Sequence, residues 1–355
     1  MKLILEGPTK TGKDLLIREL QKYIHDLVVL YSPADNLNAV ADLESRKYVW
    51  EVTYNTHAYS ANINTSRNIV VYRSPITELV ANEFYGRKFE SPVHRDYVYS
   101  WIDNNYKEWE WLFLYHDLEV SDQEMMTKLI GKRTLEEIKR EQSIYKPHYD
   151  YVKETFFKNT HSFTCKSSLN IFDMLDDYFE KSVKPKLKFQ DNYIFMDIDG
   201  VAIPYDKEFA FSINPTYEYC AEKVRRANLS YLHLLLRDYS FHDLFFFSAR
   251  CSQPNMEAAI RNNFNLKFFN FIWNIMSPNT LLSGALYKPY IVYKTLEYLY
   301  NEKKNFKFIY LDDCFSYISN SYITALNLFE DDRNIKISSG RFNLLNNVYK
   351  LEVIK

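Results

Sequence analysis

The chain begins with a short apolar run that leads directly into a glycine-containing loop and then into a helical pattern. The three parts read MKLILE, GPTKTGKD and LLIREL. The loop has the spacing G-x-x-x-x-G-K-[ST], in which backbone N–H groups surround a phosphate. Because such a loop requires a strand before it and a helix after it, the opening favours an α/β fold. Its last position holds Asp14 in place of the usual Ser or Thr.

Apolar runs alternate with helical patterns up to about residue 180. Three of the runs are typical of buried strands in a parallel sheet that is covered on both faces. They are residues 28–32, 68–72 and 111–115. The segment 181–190, KSVKPKLKFQ, carries four lysines, one proline and no acid, which indicates a basic linker. Since the alternation then resumes, we predict two three-layer α/β domains with parallel sheets, at 1–180 and 191–355.

The composition excludes several classes of protein. Seven glycines in 355 residues is far below the average usage of roughly 7%, so the loop glycines meet a backbone need. Four cysteines without C-x-x-C spacing predict reduced thiols in a cytoplasmic protein (in the host cytoplasm for a viral one), without a zinc site or disulfides. No apolar run is long enough for a membrane span. The net charge of −2 provides no overall basic field for nucleic acid.

Polar residues stand at three strand ends of the second half, and a lysine opens a helical pattern between two of them. In chain order these residues are Asp197, Asp199, Ser248, Lys288, Asp312 and Asp313. Ligands of open α/β sheets bind beyond the carboxyl ends of the strands, so we expect these side chains to converge. Carboxylate oxygens suit Mg²⁺, and a cation with a lysine would cancel the repulsion between a carboxylate and a phosphate dianion.

The order D-x-D-G, strand-end Ser, Lys and strand-end Asp-Asp resembles the haloacid dehalogenase (HAD) phosphatase superfamily over residues 190 to about 340. The resemblance implies a Rossmannoid parallel sheet in which Asp197 forms an aspartyl-phosphate. It also implies that Asp199 is the general acid and base, and that Ser248 and Lys288 hold the phosphoryl group. The Mg²⁺ ligands would be Asp197, Asp199, Asp312 and Asp313.

In the first half, NIVVYRSPITELVANEFYGR (68–87) resembles the segment after the third strand of thymidylate-kinase-like and deoxynucleoside-kinase-like P-loop enzymes. The matching residues are Arg73, Thr77, Glu78, Tyr85 and Gly86. Tyr72 stands where the pattern has an aspartate. The resemblance implies a P-loop kinase-like domain that binds ATP. Its nucleotide-binding residues would be Gly7, Pro8, Thr9, Lys10, Thr11, Gly12, Lys13 and Asp14.

Lys13 would bridge the β and γ oxygens of ATP. The carboxylate of Asp14 either ligates Mg²⁺ directly or weakens ATP binding by adding negative charge. Residues 131–152, GKRTLEEIKREQSIYKPHYDYV, resemble the lid of these kinases. The lid residues that would stabilise the transferring charge are Lys132, Arg133 and Arg140. The alternative for this segment is a solvated, charged helix face.

A P-loop kinase followed by a HAD phosphatase is the domain order of the phage-type polynucleotide 5′-kinase/3′-phosphatase family. The segments SINP (212–215), SAR (248–250) and SSGRF (338–342) extend the resemblance. It implies an end-healing enzyme that phosphorylates 5′-hydroxyls with ATP and removes 3′-phosphates with Mg²⁺, on RNA or DNA ends. The further catalytic candidates are Asp35 as the base for the 5′-hydroxyl, Arg73 as a holder of the acceptor, and Arg250 beside Ser248.

Two alternatives stay open. The first is a deoxynucleoside or deoxynucleoside-monophosphate (thymidylate-like) kinase fused to a nucleotide phosphatase, with monomeric substrates. The second is a catalytically reduced scaffold that binds nucleic acid or a partner, which Asp14 and Tyr72 favour. A basic channel would favour polymer ends, and a closed pocket would favour monomers. The sequence leaves the oligomeric state open.

Overall fold

A computed structural model of the chain describes sixteen stretches of it. They are residues 1–31, 51–59, 68–86, 95–116, 134–156, 160–165, 170–187, 191–210, 212, 214–225, 237, 243–264, 269–275, 283–343, 345 and 347–355. The chain divides into two compact α/β units. Unit 1 comprises Met1–Gln21 and Asp26–Asn170, and unit 2 comprises Lys22–His25 and Ile171–Lys355. The division at residue 170 lies before the boundary that the sequence indicates at 180.

The sheet of unit 1 has five strands, all parallel, in the order β2-β3-β1-β4-β5. The strands are β1 (Lys2–Glu6), β2 (Leu27–Tyr31), β3 (Asn68–Tyr72), β4 (Glu110–His116) and β5 (Thr160–Cys165). The helices of the first half are α1 (Lys13–Tyr23), α2 (Ile76–Phe84), α3 (Arg95–Tyr106) and α4 (Leu135–Phe156), and residues 51–59 are also helical. The prediction of a parallel sheet in the first half is confirmed.

The central strands of unit 1 are apolar because both of their faces are buried. Successive residues of β1, β3 and β4 are shielded from solvent, which a strand between two layers requires. One face packs on an aromatic cluster that includes Trp101, Tyr106 and Trp111. The rings of Trp101 and Tyr106 meet edge to face, with centroids 5.1 Å apart. This cluster covers one face of the central strands, including Ile4 of β1.

The loop after β1 lies where the strand order of unit 1 reverses. The chain leaves β1 toward β2 and leaves β4 toward β5, on opposite sides of the β1–β4 pair. Such a reversal opens a crevice in which α/β sheets bind ligands. Gly7 has a φ of +133°, and a Cβ there would lie 2.1 Å from the carbonyl oxygen of Leu114 in β4. Only glycine therefore allows the loop to start this close to β4.

Unit 2 contains a mixed six-stranded sheet in the order β10-β11-β9-β6-β7-β8. The strands are β6 (Asn192–Met196), β7 (Asp243–Cys251), β8 (Asn270–Asn274), β9 (Lys307–Asp312), β10 (Lys336–Arg341) and β11 (Tyr349–Ile354). The four strands β9-β6-β7-β8 are parallel, whereas β11 runs antiparallel to both of its neighbours, β9 and β10. The prediction of a wholly parallel sheet is wrong here, because residues 342–348 alone join β10 to β11 and a parallel crossover needs a longer connection.

Helices cover the parallel strands of unit 2. They are α5 (Asn170–Tyr178), α6 (Lys207–Ala210), α7 (Tyr217–Arg225), α8 (Pro254–Phe264), α9 (Lys288–Glu302) and α10 (Phe315–Leu328). Met196 and Leu311 belong to one face, which packs with α7 and α8. On the other face, the ring of Phe195 lies 5.0 Å from those of Phe245 and Phe308. Across the described ranges, no helix is long and apolar enough to cross a membrane.

The segment predicted as a basic linker is helical through Leu187. It continues α5 as a π-helical turn, Phe179–Val183, and a 3-10 turn, Lys184–Leu187. Phe179, Val183 and Leu187 recur every fourth residue and are at most 1% exposed. The Nζ of Lys186 donates a hydrogen bond of 2.8 Å to the carbonyl oxygen of Phe271 in β8. Lys181, Lys184 and Lys186 therefore lie around a buried apolar stripe that packs within unit 2, and residues 188–190 lie outside the described residues.

We expect Phe179→Ala to lower the free energy of unfolding by about 3–5 kcal/mol, because it removes a buried ring and leaves a cavity. Lys181→Ala is the matched control in the same turn, where the side chain is 72% exposed. It should change stability by less than about 0.5 kcal/mol. Urea denaturation of the full chain, followed by circular dichroism, measures both. Equal effects of the two substitutions would contradict a buried helical segment.

Candidate functional site

The carboxyl ends of β6 and β9 lie side by side, with Met196 paired to Leu311. Asp197, which follows β6, and Asp312, which ends β9, are therefore neighbours, and they are 7% and 0% exposed. The chain leaves β6 toward β7 and β9 toward the β11 side, so the strand order reverses between them. This is the place in an open α/β sheet where ligands bind.

Lys288 joins these two carboxylates. Its Nζ lies 2.9 Å from Oδ1 of Asp197 and 2.6 Å from Oδ2 of Asp312. Lys288 is the first residue of α9, and a π-helical turn at Ser283–Tyr287 leads directly into it. Burial alone would lower the pKa of Lys288, but Asp197 and Asp312 raise it above its ordinary range. The lysine therefore keeps its positive charge.

Three carboxylates nevertheless face this single lysine. Ligand oxygens of Asp197, Asp312 and Asp313 lie within 4.8 Å of one another. Burial raises the pKa of Asp197 well above its ordinary range; Lys288 opposes this shift, and the neighbouring carboxylates add to it. Burial and the charge of Asp312 raise the pKa of Asp313 to about 6. Because the group has an excess of negative charge and offers hard oxygen ligands, it could hold a divalent cation.

A tight turn after β6 places Gly200 directly against the carboxylate of Asp313. Gly200 has a φ of +81°, and a Cβ there would lie 2.1 Å from Oδ2 of Asp313. The N–H of Gly200 donates to the carbonyl oxygen of Ile203 at 2.8 Å, which closes the turn. The glycine of the D-x-D-G pattern is therefore required by the position of a carboxylate from another strand end.

Asp199 and Arg250 form a two-pronged ion pair. Nε of Arg250 lies 2.6 Å from Oδ2 of Asp199, and Nη2 lies 2.7 Å from Oδ1. The guanidinium also lies 4.4 Å from the ring of Phe209 and donates to Oε1 of Gln253. The backbone N–H of Arg250 donates to Oγ of Ser248 at 3.1 Å. The structure therefore makes Arg250 the partner of Asp199, and it places Asp199 outside the group of three carboxylates.

Tyr310 is a site residue that the sequence patterns did not indicate. Its hydroxyl donates to Oδ2 of Asp312 at 2.5 Å, while the N–H of Cys314 donates to Oδ1 at 2.8 Å. Burial raises the pKa of Tyr310 well above its ordinary range, so the phenol remains a donor. Within the apolar run FKFIYLDD the residue is indistinguishable from a core aromatic. The available signal is its two-residue spacing from Asp312, which puts both side chains on one face of the strand.

In unit 1, Lys13 folds back onto its own loop. Its Nζ donates to the carbonyl oxygens of Gly7 and Pro8, at 2.9 and 2.6 Å, and to Oγ1 of Thr11 at 3.2 Å. Burial, with repulsion from Arg73, lowers the pKa of Lys13 to about 7. Lys10 and Gly12 have positive φ angles, +64° and +82°. The loop is thus tightly wound around the lysine.

Glu6 anchors the start of the loop from beneath and was not indicated by the sequence patterns. This fully buried carboxylate accepts from the N–H of Ser74, from the hydroxyl of Thr77 at 3.1 Å and from the N–H of Gly7 at 3.3 Å. Burial raises its pKa. Arg73, in the left-handed region with a φ of +68°, immediately precedes Ser74. The loop and the segment after β3 are therefore bound through one carboxylate.

The two departures from the kinase pattern contact each other. The hydroxyl of Tyr72 donates to Oδ2 of Asp14 at 3.3 Å. Burial raises the pKa of Tyr72 to about 12; Arg73 opposes this rise and Asp14 adds to it. The phenol therefore keeps its proton at neutral pH. Asp14 itself is exposed in the first turn of α1.

Residues of β4 and α4 hold the middle of the loop. The N–H and hydroxyl of Thr9 donate to the two carboxylate oxygens of Glu141, at 3.1 and 2.8 Å. Nε2 of His116 donates to the carbonyl oxygen of Thr9 at 2.9 Å. The amide of Gln142 bonds both the N–H and the carbonyl oxygen of His116. Glu141 and Gln142 lie in a charged helical stretch, where no spacing distinguishes them from solvated residues.

Among the remaining predicted residues, Arg140 is exposed on α4, with its guanidinium 5.5 Å from the ring of Phe84. Asp35, Lys132 and Arg133 lie outside the described residues.

No protein-family model matches the chain, and no curated protein is significantly similar to it. What the protein does is therefore inferred from the geometry of the two sites.

We expect Mg²⁺ to stabilise unit 2. A cation that binds only the native state raises the free energy of unfolding by about 2.7 kcal/mol when its concentration is a hundred times its Kd. Asp313→Asn should reduce this gain, because it removes one of the three carboxylates. The matched control is Asp331→Asn, at an exposed aspartate away from these strand ends. Urea denaturation with and without MgCl₂, at constant ionic strength, measures the gain. The same gain in wild type and Asp313→Asn would contradict a cation site there.

Proposed function

We propose that the chain is a bifunctional nucleic-acid end-healing enzyme, with a Mg²⁺-dependent 3′-phosphatase in unit 2 and an ATP-dependent 5′-hydroxyl kinase in unit 1. The observation that carries the proposal is the arrangement at the ends of β6 and β9. There a buried aspartate, Asp197, lies against Lys288 and within a group of carboxylates, beside a second aspartate held by Arg250.

In the phosphatase, an oxygen of Asp197 would attack the phosphorus of a 3′-phosphate, and the bond from phosphorus to the 3′-oxygen would break. Asp199 would give the leaving oxygen a proton, forming the 3′-hydroxyl. In the second step Asp199 would take a proton from water, whose oxygen attacks the aspartyl-phosphate and releases phosphate. Mg²⁺, held by the carboxylates of Asp197, Asp312 and Asp313, would supply charge that offsets repulsion between carboxylate and phosphate.

The partners of each aspartate fit these different roles. Burial raises the pKa of Asp197, and Lys288 opposes this rise, toward the ionised form that a nucleophile needs. The two-pronged pair with Arg250 holds the carboxyl group of Asp199 in one orientation, from which it would exchange a proton in both steps. Arg250 is thus a positioning residue in this mechanism.

The kinase half draws support from the strand–loop–helix placement of Lys13 at the reversal of strand order. In phosphate transfer, Lys13 would exchange the loop carbonyls for the β and γ oxygens of ATP. The pattern of the resembling kinases has a hydroxyl at position 14 and a carboxylate at position 72. Here Asp14 and Tyr72 supply the same two groups in exchanged places, in contact at 3.3 Å. A carboxylate for a Mg²⁺ ion is therefore retained, which favours a working kinase over a degenerate one.

We expect the protein, given Mg-ATP and an oligonucleotide with a 5′-hydroxyl and a 3′-phosphate, to produce a 5′-phosphate and a 3′-hydroxyl. Asp197→Asn should abolish release of the 3′-phosphate, since an amide cannot form the acyl-phosphate, and should leave 5′-phosphorylation intact. Lys13→Met should have the converse effect. Mass spectrometry of the oligonucleotide measures both ends separately.

A panel of nucleosides and nucleoside monophosphates is the comparison. Turnover of these monomers without turnover of oligonucleotides would favour the fused nucleotide kinase and phosphatase. Loss of both activities in a folded Asp197→Asn protein would contradict the assignment of one activity to each unit. A protein inactive on every substrate would agree with a scaffold.

We expect Asp14→Ser to raise the Mg²⁺ concentration needed for half-maximal phosphoryl transfer from ATP by roughly tenfold. This is the lower end of the loss of metal affinity that follows removal of a group around a metal site. Adding Tyr72→Asp to Asp14→Ser should bring the required Mg²⁺ concentration back to that of wild type, because position 72 then supplies the carboxylate that position 14 has lost. Tyr72→Phe controls for loss of the hydroxyl alone. Unchanged Mg²⁺ dependence in Asp14→Ser would show that the Asp14 carboxylate has no part in the metal site.

A further inference from the structure

The glycine-containing loop of unit 1 already binds an anion, and that anion belongs to the protein. Loops of this kind bind phosphate through backbone N–H groups. Here the N–H of Thr9 donates to Oε2 of Glu141, and the Thr9 hydroxyl donates to Oε1. Both carboxylate oxygens are thus engaged by one residue in the middle of the loop.

The contact is enclosed and reinforced by its neighbours. Glu141 is 8% exposed, although it lies in a helix rich in charged residues. The carbonyl oxygen of Thr9 is held from the opposite side by His116, and His116 is held by Gln142. Because Glu141 and Gln142 are consecutive in α4, this one turn of helix fastens the loop to the end of β4.

The lysine of the loop is also engaged internally. The ammonium of Lys13 has three donors, and three acceptors of the loop lie within 3.2 Å of it. A phosphate that enters the loop must therefore replace internal partners of both Lys13 and Thr9. Replacing loop carbonyls exchanges neutral acceptors for a charged one, whereas replacing Glu141 exchanges one anion for another.

We propose that Glu141 is an internal anion that closes the phosphate loop in the free protein, so that a nucleotide phosphate has to displace it. The inference rests on the nucleotide binding proposed for unit 1. If Glu141 and a nucleotide phosphate compete for the loop, the apparent affinity for the phosphate is reduced in proportion to the fraction of the protein in which Glu141 has left the loop. Phosphate binding is then coupled to release of the Glu141 turn of α4 from the loop. If Glu141 were only a support for the loop, its removal would weaken nucleotide binding.

The test is calorimetric titration of the full chain with Mg-ADP, which binds without turnover. Glu141→Gln keeps the size of the side chain and one acceptor for Thr9 but removes the charge. We expect it to bind Mg-ADP about tenfold more tightly than wild type, equivalent to about 1.4 kcal/mol. The control is Glu136→Gln, the same change in α4 at a side chain that is 86% exposed, and its affinity should equal that of wild type.

Thermal melting without ligand establishes that Glu141→Gln is folded, and Glu141→Ala provides a second variant without an acceptor. Lys13→Met on the Glu141→Gln background should abolish the tighter binding, which confirms that the ligand occupies the loop. Equal or weaker affinity in folded Glu141→Gln and Glu141→Ala would overturn the closure and leave the kinase proposal standing. Absence of binding of both Mg-ADP and inorganic pyrophosphate, in wild type and both variants, would overturn the closure together with the proposed nucleotide site.

Discussion

The ion chain from Asp197 through Lys288 to Asp312 is the interaction on which the rest of unit 2 depends. Two buried carboxylates at the end of a strand pair repel each other unless a cation lies between them or one of them is protonated, because the interior gives little screening. Lys288 supplies that cation, at 2.9 and 2.6 Å from the two aspartates. The hydroxyl of Tyr310 bonds Asp312, and the turn at Gly200 packs against Asp313, so several parts of the fold meet at this group of charges.

Both units place charged groups where the strand order reverses, but they balance the charge in opposite ways. In unit 2 anionic side chains surround a lysine, so the free site has a deficit of positive charge. In unit 1 neutral carbonyls surround Lys13, and an acid from α4 occupies the N–H of Thr9. Lys13 therefore has acceptors within its own loop, whereas the carboxylates of unit 2 keep an excess of negative charge beyond Lys288.

The parts of the structure that the sequence predicted are those that depend on local pattern. Continuous apolar runs predicted the buried strands β3 and β4, because burial on both faces leaves no room for alternation. The run at 28–32 was also predicted as a buried strand, but it forms β2 at the edge of the sheet, which is only half-buried. The antiparallel pair β10-β11 was missed, since strand direction depends on the connection between strands and not on their composition. The buried stripe of Phe179, Val183 and Leu187 was not predicted, because the lysines between these residues made the segment resemble an exposed linker. The contact of Glu141 with Thr9 joins residues far apart in the chain, and no spacing rule reaches across that separation.

The buried carboxylate of Glu6 has a consequence for how unit 1 can move. It bonds the N–H groups of Gly7 and Ser74 and the hydroxyl of Thr77, three neutral donors from two segments. Pulling the segments apart would leave a buried acid without donors, which is more costly than breaking an ordinary hydrogen bond. The start of the glycine-containing loop and the segment that follows Arg73 are therefore held together by this one side chain. In the proposed kinase, a substrate that contacts both the loop and Arg73 would therefore have to span a distance that Glu6 fixes.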